Sequence, residues 1–377
     1  MWENLDIKSA NRVKIMKYLI DHNKASRQEL AHELNFSMPT LFQIVNDLID
    51  LGLICESGEY GSTGGRRAKI LTLCPNSYYV AGVGVSKNHI QLILMDLSKE
   101  IISSRYLTVP FEDTIGYYEQ FGTIVGDFLK DNQINNENSN RLLGVGISLP
   151  GTLDLENGVI KSSYTLGINN VSFKNFSHQI PQPVHFSKNS IDSAFAEVAD
   201  KNENIIYLSL NDTVGGGAYL NQKVYLGDHF KAMVLGHIII VAGGRQCYCG
   251  KRGCLNAYCS ARTLCEDSNM SLDVFFDALK QGNRSCDMLW DSYLEHLAVG
   301  IANLRAIFDC KIILGGKISP YLTEHINRLS QKVLKHSIYE HDASFITLGK
   351  YHQEVFAVGA AKMLLERCIE EGEMLID

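Results

Sequence analysis

His237 and, ten residues further on, Cys247, Cys249 and Cys254 are the residues whose types and spacing most clearly imply chemistry. Three thiolates and an imidazole make the ligand set of a closed, tetrahedral zinc site. In an extended segment, residues i and i+2 point the same way, so Cys247 and Cys249 can share one ion. Gly250 and Gly253 permit the tight turn that returns Cys254 to it. A structural Zn2+ held by His237, Cys247, Cys249 and Cys254 is therefore expected. Cys55, Cys74, Cys259, Cys265, Cys286, Cys310 and Cys368 show no such grouping and read as small core residues.

The elements that must position these residues follow from apolar spacing. Val13, Met16, Leu19 and Ile20 fit one amphipathic helix. Ser26 with Glu29 three residues on makes a capping box for a second. Ser37 caps a third, with Pro39 in its first turn, Leu41, Ile44, Val45 and Leu48 as its buried stripe and Gly52 at its end. Two short strand-like runs, residues 53–56 and 68–73, follow across a glycine-rich loop. Three helices and a two-stranded wing predict a winged helix-turn-helix over residues 1–75. Beyond Pro75 strands alternate with helices: strands at 79–85, 90–96, 101–109, 142–148, 205–210, 238–241 and 311–314, helices at 115–129, 285–308 and from 354 onward. This alternation predicts an α/β body in two lobes with a cleft between them. No internal repeat is visible.

The chain has 377 residues, enough for two or three domains, with ordinary globular composition. Its opening residues lack a secretory signal, and no apolar run reaches the roughly 20 residues of a membrane span, so a cytoplasmic protein with no membrane partner is expected. The net charge of −7 disfavours nucleic-acid binding by the chain as a whole. Residues 1–75, however, balance nine basic against nine acidic groups, and the acidity belongs entirely to the remainder. A DNA-binding head on an acidic body is compatible with these charges.

Ordered glycine motifs accompany the cysteine cluster. They are Gly144-Val-Gly146 leading to Pro150-Gly151, Thr213-Val-Gly215-Gly216-Gly217, and Leu314-Gly315-Gly316. Together with Gly236-His237 and C-x-C-G-x-x-G-C, they resemble the ROK family of sugar kinases and transcriptional repressors of sugar metabolism. The resemblance implies an actin/hexokinase-like body over residues 76–377: lobe one at about 76–190 plus the C-terminal helix, lobe two at about 191–355. The head is similar to that of the repressor branch. Ser37, Thr40 and Gln43 then stand where a recognition helix meets base edges and phosphates in the major groove. Gly64, Gly65, Arg66 and Arg67 match the family's wing, whose paired guanidiniums suit a narrow minor groove.

The sequence departs from the kinases of that family at the residues that do their chemistry. The first phosphate loop reads Gly84-Val85-Ser86-Lys87-Asn88, without its Asp or Gly-Gly pair. The general-base Asp falls on Asn189, an amide that cannot take a hydroxyl proton. Two sugar-binding Glu positions fall on Val234 and Asn256. The resulting expectation is a non-enzymatic regulator, a homodimer or homotetramer that represses carbohydrate-utilisation genes from a double-stranded DNA operator. A sugar or sugar derivative would be sensed near Gly151, Asn189, His237 and Asn256. A body that serves only as a dimerisation or protein-binding scaffold is the alternative, and the missing base argues against an active sugar kinase.

Overall fold

Val13, Ile15, Met16 and Leu19 bury one face of α1 (Ile7–His22) against α3 (Met38–Asp50), which contributes Leu41, Ile44, Val45 and Leu48. Between them a two-residue strand, β1 (Ala25–Ser26), leads into α2 (Arg27–Glu33). The Ser26 hydroxyl accepts from Glu29 N–H, and the Glu29 carboxylate accepts from Ser26 N–H, completing the expected capping box. Ser37 caps α3 in the same way, and Gly52, at φ +69°, turns the chain out of it. β2 (Ile54–Glu59) and β3 (Lys69–Leu73) pair antiparallel, and β1 adds to the other edge of β3. Three helices backed by this small sheet form a winged helix-turn-helix.

The computed structural model describes residues 7–59, 69–134, 141–198, 202–228 and 231–375. The chain divides into two units, residues 1–187 with 360–377, and residues 188–359.

After the head, the first unit is built on β4 (Tyr79–Val85), β5 (His89–Asp96), β6 (Ile101–Thr108), β7 (Leu142–Leu149) and β11 (Val184–Lys188). Their order is β11-β7-β4-β5-β6, with β4 antiparallel to β5 and parallel to β7. β4, β5 and β7 are almost wholly buried, which accounts for their near-continuous apolar sequences. α4 (Ile115–Asp131) lays Tyr117, Phe121, Val125 and Phe128 on this sheet. A side sheet of β8 (Thr152–Asp154), β9 (Val159–Ser163) and β10 (Ile168–Ser172), then the short α5 (Lys174–Ser177), precede β11.

The second unit starts with α6 (Asn189–Ala196). Its sheet runs β14 (Lys223–Val224), β13 (Val214–Leu220), β12 (Ile205–Leu210), β15 (Lys311–Gly315), β16 (Ile346–Leu348). β12 is antiparallel to β13 and parallel to β15. Each unit therefore arranges its sheet in the same order, with the first strand central, two antiparallel neighbours on one side and two strands on the other. This duplication lies in topology and is invisible in the sequence, because many different apolar residues satisfy the same buried strand. The core comes largely from α10 (Arg284–Phe308), whose Trp290, Leu294, Leu297, Ile301 and Leu304 are fully buried. It is completed by α7 (Asn256–Cys259), α8 (Ala261–Ser268), α9 (Leu272–Lys280), α11 (Ser319–Leu322) and α12 (Ile326–His336). The last helix, α13 (Val355–Glu371), begins in the second unit and ends in the first.

Two local expectations change. Residues 238–241 are not a strand. Ile239 makes one isolated bridge to Cys254, and Ile240 N–H and Val241 N–H both donate to the Gly253 carbonyl. Of the ungrouped cysteines, Cys259, Cys286, Cys310 and Cys368 are buried, but Cys55, Cys74 and Cys265 are partly exposed. Among the described residues no helix is long and apolar enough to cross a membrane.

Candidate functional site

The segment from His237 to Cys254 closes on itself through its backbone. Cys247 N–H donates to Lys251 O at 2.8 Å, Gly250 N–H to Cys247 O at 3.0 Å, and Gly253 N–H to Arg245 O at 2.8 Å. Cys247 and Cys249 thus converge through a turn, where the sequence suggested an extended pair. Gly250 and Gly253 hold φ of +85° and +84°. Gly253 has no alternative, because a Cβ there would lie 1.7 Å from the Val241 carbonyl oxygen.

His237, Cys247, Cys249 and Cys254 come together, each offering one ligand atom, with all four atoms within 4.8 Å of one another. Cys249 Sγ lies 3.8 Å from Cys254 Sγ, and Cys247 Sγ 3.7 Å from His237 Nδ1. A tetrahedral zinc with Zn–S near 2.3 Å and Zn–N near 2.0 Å would set its S–S and S–N edges at about 3.8 and 3.5 Å, close to these two separations, so the donor set suits such an ion. Cys247 and Cys254 are buried, while Cys249 is exposed. Burial, then its cysteine neighbours, push the Cys254 thiol up to about 12, so a metal must displace its proton. Burial and the Lys251 charge lower the pKa of His237, which favours the neutral, ligating imidazole.

The residues that the resemblance sets against kinase motifs have the following surroundings. Ser86 closes the β4–β5 turn: its N–H and hydroxyl donate to His89 O, and its hydroxyl oxygen accepts from His89 N–H. The Lys87 and Asn88 carbonyls accept from Phe111 N–H and Val109 N–H, which ties this turn to the segment that follows β6. Gly151, in the first unit, is required by close packing, since a Cβ would sit 2.4 Å from Ser162 O. Asn189, in the second unit, opens α6 and is buried. The preceding Lys188 has its pKa lowered by burial. Val234 is half exposed and offers no polar group. Asn256 is only 3% exposed, and its side-chain oxygen accepts from Val214 N–H at 2.7 Å. Gly216 and Gly217 pack against Tyr207 O and Ser190 O. Beside that loop, Lys317 pairs with Asp212 at 2.8 Å.

On the head, Ser37, Thr40 and Gln43 are all exposed, with Met38, Phe42 and Asn46 around them. The Ser37 hydroxyl oxygen accepts from Thr40 N–H at 3.3 Å and lies 2.7 Å from Thr40 Oγ1, so this pair is bound up in the cap. Gln43 is presented outward from the middle of α3. The Arg27 guanidinium sits 5.1 Å from the Phe42 ring centroid and binds Glu56. Asp47 draws in Lys8 and Arg12 at 2.9 and 3.0 Å, fastening α3 to α1. Gly64, Gly65, Arg66 and Arg67 lie outside the described residues.

Tyr248 and the Lys317–Asp212 pair carry no signal in the sequence. Tyr248 Oη lies 3.1 Å from His237 Nε2, a contact that only the turn between the cysteines creates.

The ROK family model matches residues 80–367. The xylose repressor of Caldicellulosiruptor bescii is 24% identical over 95% of this chain and 96% of its own. The crystal structure of a ROK family transcriptional regulator, a homolog of the E. coli MLC protein, superposes with a TM-score of 0.79 at 21% identity, over 98% of each chain. A ROK hexokinase from Thermus thermophilus superposes at 0.61 and 23% identity, over 75% of this chain and 96% of that one. The latter likeness carries the actin/hexokinase-like fold of the body, the former extends over the head as well, and the match over residues 80–367 establishes that the chain belongs to the ROK family.

Proposed function

We propose that the chain is a DNA-binding transcriptional regulator of sugar metabolism, a repressor, whose kinase-like body does not transfer phosphate. The observation that carries this reading is a helix-turn-helix whose α3 has an exposed face, joined to a ROK body in which Asn189, an amide, stands where the resemblance puts the general base. Repression by the similar xylose repressor supports the assignment. Residues 1–75 serve as the DNA-binding domain and residues 76–377 as the regulatory body.

Gln43, with Ser37 and Thr40 at the helix start, faces the major groove, and the Gly64, Gly65, Arg66, Arg67 wing approaches the minor groove. Two heads of a homodimer, or of a homotetramer, meet an inverted repeat. His237, Cys247, Cys249 and Cys254 hold a structural zinc ion, which fills all four positions with protein ligands and so orders the loop without performing chemistry. A sugar effector is sensed by the second unit, near Asn189, His237 and Asn256. A second reading, a body acting only as a scaffold, is favoured by one set of contacts: the Asn256 oxygen and His237 Nε2 both have protein partners, and Val234 has nothing to offer a hydroxyl.

Selection from a pool of random DNA duplexes with the full-length protein tests the assignment. Enrichment of one inverted repeat is expected, and a pool that stays random after repeated rounds would refute it. A thermal-shift screen against sugars, amino sugars and sugar phosphates separates the sensor from the scaffold, since a specific ligand raises the melting temperature by linkage.

A further inference from the structure

The two ring nitrogens of His237 face different partners. Nδ1 lies 3.7 Å from Cys247 Sγ, on the side where the four ligand atoms converge, and Nε2 lies 3.1 Å from Tyr248 Oη. An imidazole that gives its Nδ1 lone pair to a metal carries its proton on Nε2. The Nε2–H group then donates, and the phenolic oxygen accepts. The two rings meet edge to face, with centroids 5.1 Å apart and planes at 77°. The Arg262 guanidinium sits 5.6 Å from the Tyr248 ring centroid. Tyr248 is therefore held by its ring as well as by its hydroxyl, which limits the directions in which that hydroxyl can point.

We propose that Tyr248 is a positioning residue for the metal centre. Its phenolic oxygen fixes His237 as the Nε2–H tautomer and aims Nδ1 at the ion. Such outer partners raise the basicity of a ligating imidazole and hold its orientation, and their loss commonly costs about 10- to 100-fold in metal affinity. The contact also has a consequence for sensing. With Nδ1 turned to the metal and Nε2 bound to Tyr248, His237 has no nitrogen left for an effector hydroxyl unless Tyr248 moves away. This inference rests on the zinc reading above.

The test is zinc affinity, measured by competition with a chromophoric chelator on full-length wild type, Tyr248→Phe and Tyr248→Ala. Wild type should take up about one zinc, as a single four-ligand site requires. Tyr248→Phe should bind it about 10- to 100-fold more weakly, and Tyr248→Ala should be no more than slightly worse. Cobalt-loaded Tyr248→Phe should keep the absorption bands of a three-sulfur, one-nitrogen site, because the ligands themselves are unchanged. If Tyr248→Phe binds zinc like wild type and only Tyr248→Ala is weakened, ring packing accounts for the effect and the proposal is overturned. Should Tyr248→Phe fold poorly, long-range 1H–15N spectra of the zinc-loaded wild type decide: an exchange-protected proton on His237 Nε2 supports the role, and its absence overturns it. Wild type that takes up no zinc would overturn the metal reading, and this inference with it.

Discussion

Asn256 Oδ1 accepts the Val214 amide proton at 2.7 Å in a buried setting, pinning the first turn after the cysteine cluster to the first residue of β13. The position that resembles a sugar-binding carboxylate in the family's kinases is thus a backbone staple here. Asn256→Ala leaves a buried N–H without its acceptor and should destabilise the protein by about 1–3 kcal/mol. Asn256→Asp keeps the accepting oxygen but buries a carboxylate, so it should also destabilise at neutral pH and recover as the pH falls and the carboxyl is protonated. Denaturant midpoints of the three proteins check this, and equal midpoints would show the hydrogen bond to be unimportant.

The glycines of the β12–β13 hairpin make a sharper contrast. A Cβ on Gly217 would lie 2.1 Å from Ser190 O, whereas one on Gly215 would meet nothing within 4 Å. Gly217→Ala should therefore cost about 1–3 kcal/mol, in the range of core overpacking, and Gly215→Ala close to nothing. Thermal melts that place both variants together would contradict the packing explanation.

Asp47 ties α3 to α1. The hydrogen bond from Lys8, followed by that from Arg12, holds its carboxyl below the usual range against an opposing burial effect. A depressed carboxylate contributes stability that is fully present above its unfolded pKa, about 4, and is lost as pH falls through the folded value. The groups are partly exposed, so the contribution is discounted for solvent screening to about 0.5–1 kcal/mol. Asp47→Asn should lower the melting temperature of the head at pH 7, and the difference from wild type should shrink as pH falls below about 4. A difference that stays constant with pH would mean that the carboxylate's charge is not what matters.

Much of this architecture was legible from residue pattern. The capping box at Ser26 and Glu29, the cap at Ser37 and the stripe of Leu41, Ile44, Val45 and Leu48 are local features with local causes, and each stands as expected. The cysteine cluster was legible because ligand chemistry restricts residue types so strongly. The partners of Asn256, 42 positions from Val214, and of Asp212, 105 from Lys317, were not legible, because they depend on tertiary proximity. Tyr248 carries no sequence signal for a related reason: its contact follows from a turn, and the alternating C-x-C pattern suggests an extended segment.

Removal of the metal should loosen the second unit. Cys254 bridges to Ile239 and directly precedes Leu255, a fully buried core residue. Dialysis of the zinc-loaded protein against a strong chelator should release about one ion per chain and lower the melting temperature, since binding to the folded state alone is linked to stability. An unchanged melt after complete removal would exclude a structural role.

Phosphoryl transfer requires a base for the hydroxyl and a loop for the phosphate. Asn189 provides no base, and the Ser86 turn is closed on itself. ATP consumption should therefore stay at background across hexoses and amino sugars, both for wild type and for Asn189→Asp. Sugar-dependent turnover by the wild type would contradict the non-enzymatic reading.

Sequence-specific DNA binding through α3 can be read by fluorescence anisotropy with the duplex recovered by selection, comparing wild type and Gln43→Ala on that duplex and on a scrambled one at several salt concentrations. Wild type should bind the selected duplex at least about 10³-fold more tightly than the scrambled one, the lower end of specific recognition. Loss of a base contact by Gln43→Ala should cost about 1–3 kcal/mol on the selected duplex and little on the scrambled one. Equal affinity of wild type for both duplexes at every salt concentration would contradict sequence-specific binding.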